Sequence, residues 1–455
     1  MTSETDTRFG WIAACFFLIP FAYAIQVIFK NQYVGVMPYL TLAPIAIRVF
    51  KILNQTKYSI VDGIRGDFTI FTPVLTLFIL PLAHIFIDYV QGGIVELQAI
   101  RLVIIYIFVV VIFFYFAIDD RLDEINGVLC AIGAASLIIG IQWVYSSYYK
   151  LVEGDPGWFA KASYEYIKHV NGYSSADVNV SIIRPEYRSY GLLDKHTTTG
   201  AIVALGGMAA ISWLSTKNNI IYAFLASSLF FIFLSVGMAT TAWIAYIAVA
   251  PFVICLAYRR GIVMYLSVVM NYITIIITGS LVMSYFNESE NLRQHISVLA
   301  GNQIQYLTNL DVARSISDSS YISFAGIYYR YLVEYISHIK NTPMTFIWGE
   351  GLPNGSAAQF SRGGDFALIE LLVTYGFPAS LLLFMAISFG LSRAIFFVRD
   401  KNTSNENRAV VSFAIGATLF LIISLGHYNT IFNKAVFILL PFLLAIFYRY
   451  GRGNQ

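Results

Sequence analysis

Residues 10–29 read GWIAACFFLIPFAYAIQVIF, a run of 20 residues without a charged side chain. A helix rises 1.5 Å per residue, so about 20 apolar residues cross the roughly 30 Å of hydrocarbon in a bilayer. The run has this length, and it lacks the short apolar core and the small-residue cleavage site of a signal peptide. It therefore predicts a membrane-spanning helix that remains part of the chain.

Similar apolar runs follow along the whole chain. Of its 455 residues, 58% are hydrophobic and 12% are charged. Soluble proteins carry about 25% charged residues, so the composition predicts an all-α, polytopic membrane protein. Besides the first run, the predicted spans are Tyr33–Phe50, Thr69–Val90, Ile100–Ile118, Gly127–Tyr145, Thr197–Leu214, Ile220–Met238, Ala239–Ala257, Ile262–Phe286, Phe366–Val398, Val410–Leu425 and Thr430–Tyr448. We expect one integral membrane domain, residues 1–455, with about twelve transmembrane helices.

The short loops between the spans set the orientation. Basic residues such as Arg259, Arg260 and Arg399 follow every second predicted span, so these loops and both termini should be cytoplasmic. The acidic loop Asp119–Glu124 falls on the same side, where acidic residues contribute little to the rule. Two long polar loops, residues 148–196 and 286–365, then both face outward. They have room for an active site at the membrane surface.

The first long loop carries two arginines and a histidine close to the sixth span. Arg184 and Arg188 suit a phosphate or pyrophosphate, because guanidinium groups bind these anions through two parallel hydrogen bonds. Alternatively, they contact lipid head groups or pair with Glu186 and Asp194. His196, at the start of the span, is a candidate substrate-binding residue or base, since histidine titrates near neutral pH.

The second long loop is predicted to contain an amphipathic helix that lies along the membrane surface. Apolar residues recur every three or four positions from Phe324 to Ile339, and Pro343 follows the end of the pattern. Arg330 lies on this helix. It either points towards a substrate or forms an exposed ion pair with Glu334.

A glycine-rich connection then leads from this helix to the tenth span. Asp365 lies where the connection meets the span, and an aspartate there can cap the helix, orient a substrate hydroxyl, or do both. Glu350, between two glycines, and Arg362 are further candidates for substrate contacts.

Several common sites are missing from the sequence. It has no phosphate-binding P-loop, no dinucleotide fingerprint and no His/Cys cluster typical of zinc. The net charge of +3 is too small to indicate nucleic-acid binding. We therefore expect neither metal nor cofactor. An outward-facing enzyme of this kind would need a pre-activated donor, such as a sugar on a lipid pyrophosphate.

Four short segments, taken in order, resemble the bacterial O-antigen polymerase and O-antigen ligase superfamily. They are the Arg-x-x-Gly segment Arg188–Leu193, the small-residue segment Ser235–Thr241, the stretch of Arg330, Pro343 and Gly349–Gly351, and the start of a helix at Asp365. Two positions depart from the family pattern. Ser235 is not followed by the usual arginine, and Asp365 replaces the His-Asn common in ligases, which favours the polymerase branch.

The resemblance implies an inverting, metal-independent glycosyltransferase of the membrane-embedded C type (GT-C). It would join undecaprenyl-pyrophosphate-linked repeat units on the periplasmic face of a bacterial inner membrane. Arg188 and Arg330 would stabilise charge on the leaving pyrophosphate, and Asp365 would orient the acceptor hydroxyl. Lipid-linked donor and acceptor, membrane lipids, a chain-length regulator and a flippase are the implied partners.

Two alternatives remain open. One is an O-antigen ligase, which transfers the finished glycan to the lipid A core. The other is a flippase of lipid-linked oligosaccharides, which is not an enzyme of glycan synthesis. Transporters typically show paired repeats and broken central helices, whereas the polar residues of this chain lie in two outward loops. This distribution favours chemistry at the membrane surface.

Overall fold

The structure is a computed structural model that describes residues 3–56, 68–90, 97–118, 122–171, 189–217, 220–237, 239–258, 324–350, 367–425 and 434–451, with isolated positions between 262 and 290. Within these ranges the regular secondary structure is helical. In chain order the described helices are α1 Ser3–Leu18, α2 Ala22–Phe29, α3 Met37–Leu40, α4 Ala43–Thr56, α5 Phe68–Val90, α6 Leu97–Ile118, α7 Leu122–Leu151, α8 Gly157–Asn171, α9 His196–Thr216, α10 Ile220–Val236, α11 Thr240–Tyr258, α12 Phe324–Asn341, α13 Pro343–Trp348, α14 Ala367–Arg399, α15 Asn405–Leu425, α16 Lys434–Phe437 and α17 Leu439–Gly451.

Seven helical stretches in the described ranges are long and apolar enough to cross a membrane. They are Gly10–Phe29, Val34–Asn54, Glu124–Leu151, His196–Thr216, Thr241–Tyr258, Ala367–Arg399 and Asn405–Leu425. Helices α5, α6, α10 and α17 coincide with four more predicted spans, and most of the ninth predicted span lies outside the described residues. The all-helical fold is thus confirmed, and its apolar helices suit a multi-pass membrane protein. The count of about twelve spans stays a prediction.

Helices α7 and α9 pack closely near the centre of the bundle. A Cβ atom on Gly206 would lie 2.0 Å from the Ser136 side chain, and one on Gly133 would lie 3.1 Å from Ala210. Ser136 Oγ donates a hydrogen bond of 2.9 Å to the Ile202 carbonyl oxygen across this contact. Small residues of this kind let two helix backbones approach each other in lipid, where the hydrophobic effect does not drive association.

A partly buried ion pair closes the end of the bundle where α7 begins. Arg48 Nη1 of α4 lies 3.2 Å from Glu124 Oε1 and donates a 2.7 Å hydrogen bond to the Tyr115 hydroxyl of α6. That hydroxyl in turn donates to the other carboxylate oxygen of Glu124. A carboxylate is costly in a membrane interior unless it is paired. The last residue of the acidic loop is therefore compensated by an arginine of the second span.

Helix α14 is kinked, although the sequence predicted one continuous span. Gly376 has φ 74° and ψ 169°, and Pro378 has no N–H to donate to a helical hydrogen bond. Ser380 Oγ donates to the carbonyl oxygens of Gly376 (2.7 Å) and Leu371 (3.2 Å). The kink therefore coincides with a glycine and a proline two residues apart, and a serine satisfies carbonyl groups beside it.

The first long loop contains helix α8, which the sequence analysis did not predict. Phe159, Tyr166 and Ile167 of α8 are buried against α2. The hydroxyl groups of Tyr23 and Ser163 are 2.5 Å apart and join the two helices by a hydrogen bond. This packing fixes the first part of the loop on the end of the first span.

Candidate functional site

The structure covers the predicted site residues unevenly. It describes the side chains of His196 and Glu350. Arg330 lies on α12, but its side chain lies outside the described residues, as do the whole of Arg184, Arg188, Arg362 and Asp365. The roles assigned to these residues stay predictions, and the described segments next to them in sequence define the site.

The turn directly after Arg188 is fixed on a buried tryptophan of α7. Trp143 has no exposed surface, and its Nε1–H donates a 2.9 Å hydrogen bond to the Ser189 carbonyl oxygen. Gly191 has φ +64°, and a Cβ atom there would lie 3.2 Å from the indole ring. Glycine adopts this backbone conformation without strain, which gives a physical reason for the glycine of the Arg-x-x-Gly segment.

The other residues of this turn contact the start of α9. Thr199 Oγ1 donates a 2.6 Å hydrogen bond to the Tyr190 carbonyl oxygen. The Tyr190 ring lies 5.9 Å from the His196 ring, and Lys150 Nζ lies 5.7 Å from the Tyr190 ring centre. Lys150 is only 1% exposed. The Tyr190 ring thus lies near both the His196 ring and a buried cation, which its aromatic face attracts.

The small-residue segment Ser235–Thr241 packs on the same tryptophan. A Cβ atom on Gly237 would lie 2.2 Å from the Trp143 ring, and one on Gly200 of α9 would lie 2.6 Å from Ala239 Cβ. The residues of this segment have small side chains because the Trp143 indole and α9 occupy the space beside them. Trp143 therefore contacts two segments, each of which lies about 46 residues or more beyond it in sequence. The indole N–H of Trp143 needs a hydrogen-bond partner inside an apolar helix, and this was the sequence signal for a buried contact. The sequence analysis missed it.

Two residues of opposite charge lie near the C-terminal ends of the two long loops. Lys195 immediately precedes α9, and Glu370 lies in the first turn of α14. Lys195 lies close enough to Glu370 to act electrostatically on its carboxyl group. Lys195 closes the loop that contains Arg188, and Glu370 follows the loop that contains Asp365. The C-terminal ends of both loops therefore lie within electrostatic range of each other.

Glu350 is the centre of a polar cluster at the end of α13. His338 Nε2 pairs with Glu350 Oε1, and Thr345 Oγ1 donates a 3.0 Å hydrogen bond to the same oxygen. Glu350 Oε2 and the Tyr335 hydroxyl are buried and have no hydrogen-bond partner among the described residues. Burial raises the pKa of Tyr335 above its usual value, and the charge of Glu350 raises it further. Tyr335 therefore stays a neutral hydrogen-bond donor near a carboxylate with spare acceptor capacity.

The kink of α14 holds this cluster in place. The Glu350 N–H donates a 2.7 Å hydrogen bond to the Val373 carbonyl oxygen just before the kink. Gly349 has φ +72°, and a Cβ atom on it would lie 2.3 Å from the Thr374 carbonyl oxygen. Gly376 has φ +74°, and its own Cβ atom would meet the α13 backbone at 2.5 Å. Two glycines thus let the second loop pack directly on the backbone of α14.

The described part of the chain contains no group of three or more His, Cys, Asp and Glu side chains placed to hold a metal ion. No family model matches the chain, and no curated protein matches it in sequence. Any function must therefore be inferred from the chemistry of the site.

Proposed function

We propose that the protein is a polysaccharide polymerase of the O-antigen type. In this proposal it is a GT-C-like membrane glycosyltransferase with about twelve spans. It joins undecaprenyl-pyrophosphate-linked repeat units on the periplasmic face of a bacterial inner membrane, with both termini cytoplasmic. The observation that carries the proposal is the 2.9 Å hydrogen bond from the Trp143 N–H to the Ser189 carbonyl oxygen. It holds the turn that immediately follows Arg188, which supports a site at this end of the first long loop.

In the proposed reaction, the arginines act on the donor. The bond between the anomeric carbon and the pyrophosphate oxygen breaks, and the leaving pyrophosphate takes the electron pair. Arg188 and Arg330 stabilise the negative charge that develops, because guanidinium groups act strongly on charge near low-dielectric lipid. The fixed position of Ser189 on Trp143 supports the role of Arg188, which immediately precedes it. Arg184 and His196 bind the same donor.

The acceptor is activated from the second loop. A sugar hydroxyl of the incoming repeat unit attacks the anomeric carbon from the face opposite the pyrophosphate, so the configuration inverts. Asp365 orients this hydroxyl and accepts its proton. Glu350 and Arg362 bind other groups of the acceptor. The spare oxygen of Glu350 and the donor hydroxyl of Tyr335 support a sugar-binding role, since sugars supply both donors and acceptors.

The arginine roles are tested with purified protein in detergent, given lipid-linked repeat units and scored for polymer on gels. Arg188→Lys and Arg330→Lys should each reduce polymer about tenfold or more, because lysine cannot reproduce the bidentate fork. Arg399→Lys, at the far end of α14, is the matched control and should keep wild-type activity. Near-normal polymer from both lysine variants of the site would contradict pyrophosphate binding by these arginines.

The role of Asp365 is tested by separating helix capping from catalysis. Asp365→Asn keeps a side-chain oxygen that can cap a helix, but it removes the negative charge that polarises the hydroxyl. We expect normal protein yield and a rate at least about tenfold lower, because general-base catalysis typically contributes about 10²–10⁴-fold. Wild-type turnover of the Asn variant, together with low yield of the Ala variant, would leave Asp365 as a cap only.

A deletion strain separates the proposed function from its two alternatives. Loss of a polymerase should leave surface lipopolysaccharide with a single repeat unit. Polymer that is made but not attached to the core would instead identify a ligase. Repeat units trapped on the cytoplasmic side would identify a flippase, and either of the last two results would overturn the proposal.

A further inference from the structure

The short helix α13 exposes apolar side chains over most of its surface. Met344 is 61% exposed, Ile347 48% and Trp348 53%, and Phe346 is exposed as well. Large apolar side chains form a continuous exposed patch on a protein mainly where the patch contacts a membrane or another protein. Helix α13 therefore presents a face that suits a partner other than water.

The opposite side of α13 is polar and faces the protein interior. Thr345 is buried, and its Oγ1 donates a 3.0 Å hydrogen bond to Glu350 Oε1. A helix with one polar and one apolar side can lie at a membrane surface with its apolar side among the acyl chains. The sequence predicted such a position for α12 alone. Because the polar side of α13 holds Glu350, the position of this helix in the membrane also sets the position of the Glu350 cluster.

The apolar face of α13 is continuous with the exposed face of a spanning helix. The Phe346 and Phe377 rings are stacked, with 5.1 Å between their centroids and 10° between their planes. From Phe377, exposed apolar residues recur every four positions along α14, at Leu381, Met385 and Phe389. Helix α14 is long and apolar enough to cross a membrane, so its exposed side chains contact acyl chains. The lipid that covers this face of α14 therefore reaches α13.

The position of the contact along α14 fits the surface of a bilayer. Arg399 ends α14, and Asp400 and Lys401 directly after it are exposed, so this end lies at one membrane surface. At 1.5 Å per residue, Gly376 in the kink is about 35 Å from Arg399 along the helix. The hydrocarbon core of a bilayer is about 30 Å thick. Helix α13, which packs at the kink, therefore lies near the opposite surface.

The exposed residues change from polar to apolar where α13 begins. Lys340, Asn341 and Thr342 are exposed and polar, and the exposed apolar residues begin at Pro343. Trp348 ends the helix, and tryptophan is enriched at the boundary between membrane and water. This order of residues is that of a segment which passes from the head groups into the acyl region.

We propose that α13 inserts its apolar face into the bilayer surface beside the kink of α14. The partner is the acyl region of the membrane lipids rather than a second protein molecule, because the face continues along the exposed face of a spanning helix. The Glu350 cluster is then held at the level of the lipid head groups. The value of this position rests on the proposed function, since a sugar joined to a lipid through pyrophosphate lies at the same level.

The test is the membrane depth of nitroxide labels on single cysteines of the full-length protein, with one molecule in each lipid nanodisc. The three native cysteines are first replaced by serine. Oxygen collects in hydrocarbon, whereas a water-soluble nickel chelate stays outside it. Oxygen collisions should exceed nickel collisions for Met344→Cys and Ile347→Cys, as for Met385→Cys in the middle of α14. The ratio should be reversed for the exposed control positions Lys340→Cys on α12 and Lys161→Cys on α8.

The proposal is wrong if nickel collisions dominate at both labels of α13, because the helix would then lie in water. It is also wrong if both labels collide with neither reagent, because protein would then cover this face. Ile347→Asp gives a second measurement and should reverse the ratio at Met344→Cys, since a charge is costly among acyl chains. Ser337→Asp adds the same charge at an exposed position of α12 and should leave that ratio unchanged. An equal response to both aspartates would contradict insertion.

The depth measurement is independent of turnover, so it separates this inference from the proposed function. Equal thermal unfolding midpoints of the labelled proteins would show that the ratios belong to the folded state. Nanodiscs that place α13 among the acyl chains but make no polymer from lipid-linked repeat units would contradict the proposed function and leave the insertion intact. Nanodiscs that make polymer while nickel collisions dominate at α13 would contradict the insertion and leave the proposed function intact.

Discussion

Replacing Trp143 by phenylalanine should release the turn that follows Arg188. Phenylalanine keeps an aromatic ring at this fully buried position but leaves the Ser189 carbonyl oxygen without its 2.9 Å hydrogen bond. A buried carbonyl group without a donor costs about 1–3 kcal/mol. The smaller ring also leaves a void beside Gly237, which adds about 1 kcal/mol. Each 1.4 kcal/mol changes an equilibrium constant by a factor of about ten. The two costs together therefore strongly reduce the fraction of molecules in which the turn is packed on α7.

We therefore expect Trp143→Phe to polymerise at least about tenfold more slowly and to exchange the amide hydrogens of residues 189–193 faster. Hydrogen exchange followed by mass spectrometry measures the turn, and polymer formation by the same sample measures activity. Trp243→Phe is the control, because Trp243 also donates an indole hydrogen bond, of 2.7 Å, but to Ser235 Oγ. Unchanged exchange in residues 189–193 together with wild-type activity would refute the role of Trp143 in positioning the Arg188 segment.

Three further changes test other parts of the structure. Gly376→Ala should lower the free energy of unfolding by about 1–3 kcal/mol in thermal unfolding, because the φ of +74° at Gly376 disfavours a side chain. Gly10→Ala is the control and should keep the wild-type stability, because Gly10 has open space around it. Tyr335→Phe removes a buried hydroxyl without a partner among the described residues, so stability should be kept while polymerisation falls. Wild-type turnover of this variant would exclude Tyr335 from the site. Glu124→Gln should destabilise by about 1–3 kcal/mol, because the partly buried Arg48 loses the carboxylate charge beside it, and adding Arg48→Met should recover part of the loss. Strictly additive losses would argue against the pair.

The sequence alone determined that the chain is a helical membrane protein. In lipid every backbone N–H and C=O group must find a partner within the protein, so apolar runs of about 20 residues form helices whatever their neighbours are. It also placed Glu350, which lies between two glycines, among the candidate residues, and the role of Glu350 stays a prediction. The polar character of the two long loops depends on composition only, so it too could be read from the chain.

Only the tertiary structure decided which residues meet. Trp143 lies in an apolar helix like many other aromatic residues, and nothing local indicates that its N–H bonds to Ser189, 46 residues later. The contact of Gly349 with Gly376 likewise joins distant parts of the chain. Hydrophobic length and charge specify how each helix sits in a membrane, but many helix pairs satisfy them equally well. The choice among those pairs depends on shape complementarity and on buried hydrogen bonds, which exist only once the helices have packed.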